Sequence, residues 1–362
     1  MALNCKEPFY NIEIAITGDV FLCCQTWHPK VIGNLLKNSL EEIWLGEEAR
    51  KVRASIIDQT YTYCNLDICP AWISKTIPTD TLINDDLPGW ETYSTVTETQ
   101  YTKFKLPKVV KFSFDASCNL QCPSCRTEKK QYYPTEWAYE RSRKILDQIK
   151  LAYLSQPNTA DFNFTITGSG DAIGSHLYRT FLTTLDGSQF PNMGIIILTN
   201  GVMLTEKVIN QLSMIHSNIK DIVISVDAAT TDTYNLVRKG GDFDQLKENI
   251  EYLNQCPSLS HANLKYTYVV QQDNFREMNS FTDWLLKYPR SQIRFTRMVQ
   301  FGAQSVDHFN SQNLWDPNHK DHTEFFEYIN QSWITHPRVN WSNIQQKPSV
   351  QTLHFRRNFG ET

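Results

Sequence analysis

Several features are missing from this 362-residue chain, and each absence removes a class of function. No apolar stretch approaches the roughly 20 residues that cross a bilayer. No signal peptide is expected, because Met1-Ala2-Leu3-Asn4-Cys5-Lys6-Glu7 has neither a basic start nor an apolar core. Positive charge is not in excess. The 35 Lys and Arg against 39 Asp and Glu leave a net charge of −4, which argues against binding driven by phosphate neutralisation. No internal repeat or low-complexity segment stands out. The expectation is a cytoplasmic protein with no membrane and no nucleic acid among its partners. Hydrophobic residues at 41% and charged residues at 20% suit a globular core, and the length suits two domains. Residues 1–100 hold 7 Lys and Arg against 14 Asp and Glu, leaving 28 against 25 for the rest. The acidic first segment therefore reads as a domain of its own.

Cysteine is plentiful. In a chain with no export signal, nine cysteines point to metal or redox chemistry rather than disulfides. Three lie at Cys118, Cys122 and Cys125, directly after the strand-like run Val109-Val110-Lys111-Phe112-Ser113-Phe114. Thiolates are the usual protein ligands of iron–sulfur clusters. The spacing C-x3-C-x2-C supplies three of them to a four-iron cluster and leaves one iron without a protein ligand. An open position separates a reactive metal centre from a closed structural one. Zinc, the plainer reading, normally takes four ligands, and no His follows Cys125 at clip spacing; the next is His176.

At these residues the chain resembles the radical S-adenosylmethionine (SAM) superfamily. The resemblance implies that Cys118, Cys122 and Cys125 hold a catalytic 4Fe-4S cluster whose open iron chelates SAM. One-electron cleavage of SAM would then give a 5'-deoxyadenosyl radical that abstracts hydrogen from a substrate. Ser124 stands where the family usually has an aromatic, so one contact to the adenine of SAM is weakened.

A second group of cysteines comprises Cys5, Cys23, Cys24, Cys64 and Cys69. Residues 12–22 alternate around Gly18-Asp19, a hairpin signal that brings Cys5 near Cys23. Cys64 and Cys69 form a C-x4-C clip before Pro70. Four thiolates from two clips would close a tetrahedral site for iron–sulfur or zinc. Cys5, Gly18 and Cys23, then Ile32-Gly33-Asn34-Leu35, Ser39–Trp44 and Arg53, look like the SPASM and twitch domains that accompany many radical SAM enzymes. That resemblance implies one auxiliary 4Fe-4S cluster on Cys5, Cys23, Cys64 and Cys69. Cys24 is the spare, and Cys23 and Cys24 could exchange roles. Here the module comes first, whereas the commoner order puts it last.

From residue 107 the chain alternates β-branched runs with amphipathic ones, which predicts parallel βαβ units. Strands are expected at Val109–Phe114, Phe162–Thr167, Ile195–Thr199, Ile222–Val226, Leu264–Val270 and Ile293–Thr296. Helices are expected at Pro134–Leu154, His176–Leu185, Glu206–His216, Phe243–Asn254 and Phe275–Leu286. The predicted fold class is α/β. The resemblance makes it a partial (β/α)6 radical SAM barrel over 107–335, preceded by a SPASM/twitch-like domain over 1–75 and a linker over 76–106. A tail at 336–362 follows. Functional groups should sit at the carboxyl ends of the strands. Gly168-Ser169-Gly170-Asp171 stands where the family carries the motif that meets the amino group of SAM. Ser225 and Asp227 share a strand face and are candidates for the ribose hydroxyls. Arg238 is the candidate for the SAM carboxylate, because a guanidinium can grip a carboxylate with two hydrogen bonds. Arg297, at the end of the sixth strand, is expected to face the cavity. Cys256, after a helix, is a bystander or a hydrogen donor.

The resemblance implies a radical SAM oxidoreductase with two 4Fe-4S clusters, SAM, and an external one-electron donor such as flavodoxin or ferredoxin. The expected substrate is a peptide, undergoing crosslinking, dehydrogenation or epimerisation. A small molecule such as a sugar or amino-acid derivative is the alternative. A non-catalytic iron–sulfur or zinc protein is the reading from another class.

Overall fold

A computed structural model describes residues 5–77, 106–300, 304–330 and 336–344. The linker expected at 76–106 and most of the tail lie outside the described residues. In chain order the strands are β1 (Asn11–Ala15), β2 (Asp19–Phe21), β3 (Gly33–Asn34), β4 (Val109–Ser113), β5 (Phe162–Ile166), β6 (Met193–Thr199), β7 (Ile219–Ser225), β8 (Asn263–Val270), β9 (Ser291–Arg297) and β10 (Val339–Asn340). The helices are α1 (Glu7–Tyr10), α2 (Leu40–Trp44), α3 (Glu47–Ile57), α4 (Pro70–Ile73), α5 (Trp137–Tyr153), α6 (His176–Thr184), α7 (Glu206–Gln211), α8 (Thr231–Val237), α9 (Phe243–Gln255), α10 (Met278–Leu286), α11 (Val306–Gln312) and α12 (His322–Ile329).

All the strands form one sheet, in the order β10-β9-β8-β7-β6-β5-β4-β1-β2-β3. β4 through β9 are parallel neighbours, the six predicted βα strands. The cysteine-rich module is not a separate layer. β1 runs parallel to β4, from Asn11 against Val109 to Ala15 against Ser113, and the β1–β2 hairpin extends the barrel sheet. At the other edge β10 pairs with β9, so part of the expected tail is a strand.

The sheet is buried unequally on its two faces, and the alternation in the sequence is the cause. Ile12, Ile14, Val110, Phe112, Phe164, Ile166, Ile195 and Ile197 point one way and are fully buried in a single core with the helices. Their in-register alternates are Glu13 beside Lys111, Lys111 beside Thr165, Ser225 beside Thr267, and Thr267 beside Arg294. This second face is polar, and most of it is only half-buried. A closed eight-stranded barrel fills its interior with side chains. Here the inner face remains a polar surface on which a substrate can lie.

Helix starts follow local chemistry. Ser39 and Glu42 form a capping box on α2, and Ser175, Thr205, Thr230, Asp242 and Ser305 cap α6, α7, α8, α9 and α11. The helix expected at Glu206–His216 stops at Gln211 and tightens into a 3-10 segment at Ser213–Asn218. There the Asn218 amide donates to Phe190 O and Met193 O. α8 was absent from the expected helices; its seven residues are too few for a periodic signal.

In the N-terminal module Arg53 is fully buried. Its Nε donates to Pro8 O at 3.0 Å, its Nη1 donates to Trp44 O at 2.8 Å, and its guanidinium lies 3.9 Å from the centre of the Trp44 ring. It joins α1, α2 and α3 through the Pro8 and Trp44 carbonyls. Arg53→Ala should lower the unfolding free energy by about 2–4 kcal/mol in a urea titration, because it removes two buried hydrogen bonds and the cation–π contact.

Candidate functional site

The loop after β4 carries Cys118, Cys122 and Cys125, and buried polar residues shape it. Asp115 is fully buried; its Oδ1 accepts from Ser117 N at 2.7 Å and its Oδ2 from Ser175 Oγ at 2.9 Å. Ser117 Oγ accepts from Tyr132 N, and Cys118 N donates to Lys130 O, so the chain past Cys125 folds back on the loop. Cys125 N and Arg126 N both donate to Cys122 O, a tight turn that brings Cys122 and Cys125 together. Cys118 and Cys122 are buried and Cys125 is exposed.

Loops from successive strand ends close around this one. After β5, Gly168 stands where a Cβ would lie 1.8 Å from Ser113 Oγ. At Gly170 a Cβ would lie 2.5 Å from Asp115 O and 2.6 Å from Ser117 O. Only glycine lets the backbone approach so closely. Ser169 Oγ donates to Ser113 O at 2.8 Å. Arg126 donates to Ala116 O and Ser169 O, both at 2.8 Å, binding the two loops together.

Asp171 departs from expectation. It is 2% exposed, and its carboxylate accepts from Ile173 N, Gly174 N, Thr199 Oγ1, Asn200 N and Asn200 Nδ2 at 2.6–3.1 Å. Burial pushes its pKa up, and those donors pull it back. Both oxygens are occupied, so Asp171 joins the β5 and β6 ends rather than presenting an acid to a ligand. The Asn200 amide also donates to Asn119 Oδ1 at 2.8 Å and approaches Cys118 Sγ at 3.8 Å.

Ser225 lies on the polar inner face, half-buried, where its Oγ accepts from Thr267 Oγ1 at 3.1 Å. Asp227 and Arg238 pair with each other. Arg238 Nη2 is 2.7 Å from Asp227 Oδ2, and Arg238 Nη1 donates to Cys122 Sγ at 3.6 Å. The two residues expected to meet ribose and the SAM carboxylate thus form an internal ion pair directed at a cysteine. Arg297 also differs from expectation. Its guanidinium stacks 5.1 Å from the centre of the Trp315 ring, and it is Arg294 that shares a row with Thr267 on the inner face. Cys256 is buried in the helix-side core just before β8, at the opposite end of the strands, with Ser258 Oγ 3.4 Å away.

Arg126 and Gln304 are contacts that sequence reasoning missed, whereas Thr199-Asn200-Gly201 was noted only as a turn after the third strand. Arg126 follows the third cysteine directly, a signal that could have been read. The Gln304 side chain donates to Ser124 O, a contact that depends on the chain returning after β9.

The three thiols suit an anionic, thiolate-held group. Burial raises the Cys118 pKa to about 12 and also pushes Cys122 up, while Arg238 pulls Cys122 down. The charges of Cys125 and Cys118 in turn raise Arg126 against the effect of its own burial. Two buried guanidinium groups beside three cysteines compensate negative charge that burial would otherwise penalise.

In the N-terminal module, burial raises Cys5 to about 12, with Cys64 and Cys69 close enough to add to the shift. Cys64 rises to about 11 through burial and then Cys69. Cys23 is raised by burial, Glu7 and Cys5, and its sulfur accepts from Trp27 Nε1 at 3.3 Å. Cys24 faces elsewhere: after burial, Glu13 is what raises it. Cys64 and Cys69 thus act on Cys5, and Cys5 on Cys23, whereas Glu13 is the first charge that acts on Cys24. Among the described residues, no three His, Cys, Asp or Glu side chains converge at the spacing of a single metal ion.

Comparison with known proteins agrees with this arrangement. The SPASM family model, described as an iron–sulfur cluster-binding domain, matches residues 5–70. Mycofactocin maturase MftC of Mycolicibacterium smegmatis is 24% identical over 203 residues, 56% of this chain and 46% of that protein. GTP 3',8-cyclase of Clostridium botulinum is 25% identical over 189 residues, 51% of this chain and 54% of that protein. The chain carries a SPASM match and otherwise resembles radical SAM proteins. The match makes residues 5–70 similar to an iron–sulfur cluster-binding domain. It spans about half the length of the curated relatives it matches. Among solved structures, Streptococcus suis SuiB bound to S-adenosylmethionine aligns with a TM-score of 0.43 at 12% identity, covering 83% of this chain and 62% of that one. Native anSMEcpe with bound AdoMet aligns with a TM-score of 0.39 at 17% identity, covering 53% of this chain and 51% of that one. Among the described residues, no helix is long and apolar enough to cross a membrane.

The loop junction centred on Asp171 can be tested without cofactor. Asp171→Ala strands five buried donors, and the apoprotein should lose about 3–5 kcal/mol of unfolding free energy. An unchanged urea midpoint would contradict the assigned role.

Proposed function

We propose that this chain is a radical SAM oxidoreductase that abstracts hydrogen from a substrate held on the polar inner face of the sheet. The observation that carries the reading is the gathering of Cys118, Cys122 and Cys125 at the carboxyl ends of parallel strands, flanked by Arg126, Asn200 and Arg238. Those three cysteines hold the reactive 4Fe-4S cluster. When bound, the cluster and SAM supply reductive cleavage to a 5'-deoxyadenosyl radical, chemistry that belongs to the cofactors.

The chain's own residues bind, orient and shield. Gly168, Ser169 and Gly170 line the mouth beside the cysteine loop and offer backbone to SAM. Ser225, whose hydroxyl proton is free to be donated, faces the ribose. Asp171 and Asp227 act one step back, the first by fixing loops and the second by fixing Arg238. Cys5, Cys23, Cys64 and Cys69 hold the auxiliary 4Fe-4S cluster. An external flavodoxin- or ferredoxin-like protein donates the electron.

The proposed substrate is a peptide. Tyr234, Arg238, Lys239, Gly240-Gly241 and Phe243 look like the peptide-modifying members of the superfamily, and one relative is named as the maturase of mycofactocin. A small-molecule substrate is the second reading, favoured by the relatives named as GTP 3',8-cyclase.

Anaerobic reconstitution tests both metal sites. Wild-type protein should bind about eight irons, as two 4Fe-4S clusters, and should form 5'-deoxyadenosine with dithionite and SAM. The triple variant C118A/C122A/C125A should lose half the iron and all cleavage. Four irons in the wild type, or zinc, would refute the reading. Cys23→Ala should remove the auxiliary cluster while Cys24→Ala retains it, as counted by iron and sulfide analysis; the reverse result would exchange the two assignments.

A further inference from the structure

Arg238 follows α8 directly, and its side chain is 12% exposed. Its three nitrogens have distinct surroundings. Nη2 pairs with Asp227 at 2.7 Å, Nη1 donates to Cys122 Sγ at 3.6 Å, and Nε is buried without a partner. Asp227 is itself immobilised. Its φ of +61° places it in the left-handed region, its Oδ1 accepts from Val269 N at 2.7 Å, and its carbonyl accepts from Asn274 Nδ2 at 2.9 Å. The next residue along, Lys239, accepts from Gln121 N at 2.9 Å, so the backbone beside Arg238 is fastened to the cysteine loop itself. Gly240 turns the chain with φ +86°, and at Gly241 a Cβ would lie 2.7 Å from Tyr234 Oη. The guanidinium is therefore held from its carboxylate side and from its backbone side, with one N–H directed at a sulfur.

We propose that Asp227 and Arg238 are positioning residues that set the reduction potential of the three-cysteine cluster through a fixed N–H···S bond to Cys122. This inference rests on the function proposed above, in which Cys122 is a ligand. Hydrogen bonds to ligand sulfurs and nearby net charge are established controls of iron–sulfur potentials. A donor on a thiolate withdraws electron density and favours the reduced state. Asp227 has two opposing effects. It fixes the donor, and its own negative charge partly cancels the guanidinium. The sequence places these residues eleven positions apart on different elements, so their convergence on one sulfur comes only from the fold.

EPR-monitored potentiometric titration of the reconstituted full-length chain tests the proposal. Arg238→Gln should make the three-cysteine cluster harder to reduce, cutting its reduced-to-oxidised ratio about tenfold at fixed potential, or ~59 mV for one electron. Asp227→Asn should move it the other way, because the neutral amide keeps an oxygen that can hold the guanidinium in place while the negative charge is removed. The auxiliary cluster should titrate as in wild type in both variants. A shift of the same sign in both variants, or in neither, would overturn the proposal. If Arg238→Gln fails to load iron, Arg238→Lys decides: a restored cluster supports a cation beside Cys122, whereas iron loss in both Arg238 variants and in Asp227→Asn marks a purely structural pair and overturns it. A wild-type chain that assembles no three-cysteine cluster would instead defeat the proposed function, a result distinguishable from an unshifted potential.

Discussion

The mouth of this barrel depends on one buried carboxylate. Asp171 receives donors from its own loop and from the end of β6, and through Asn200 it reaches the first cysteine of the C-x3-C-x2-C run. Five donors offset the cost of keeping a carboxyl group out of water, and in exchange two loops from neighbouring strands acquire a fixed relation. The Gly168–Gly170 segment can then lie against the cysteine loop closely enough that a single methyl group would clash. Arg126 and Arg238 add positive charge on either side of the thiols. Loop geometry and charge compensation thus come from the same small set of buried polar side chains.

The sheet links this mouth to the cysteines of the SPASM domain. β1 pairs with β4, and Glu13 and Lys111 are in-register neighbours on the inner face. Glu13 accepts from Ser113 Oγ at 2.9 Å, directly beneath Gly168, and is also the charged group nearest in effect to Cys24. Lys111 acts on Cys23. One strip of polar side chains therefore runs from the N-terminal thiols to the barrel mouth.

Much of this was legible in the sequence. The cysteine spacing marked the site, and alternating β-branched runs marked the six strands β4 to β9, because each strand has one face against helices and repeats its pattern every second residue. Four thiols of the N-terminal group were assigned by spacing and resemblance, and they fall within the residues that match the SPASM domain. The illegible parts have a common cause. The pairing of β1 with β4 joins positions about a hundred residues apart, and no local pattern encodes it. Asp171, Asp227 and Arg238 carry the residue types of ligand-binding groups, yet their partners are other protein atoms, and only the fold reveals that. α8 and β10 were too short to announce themselves.

The central claim is that Cys118, Cys122 and Cys125 form a centre open to SAM. Low-temperature EPR of the reduced, oxygen-free protein, recorded before and after adding SAM, tests it most directly. The account predicts that one of two overlapping cluster signals changes its g-values on SAM addition and that this signal is absent from the C118A/C122A/C125A variant. A spectrum unaltered by SAM, or a SAM-responsive signal that survives in that variant, would contradict it.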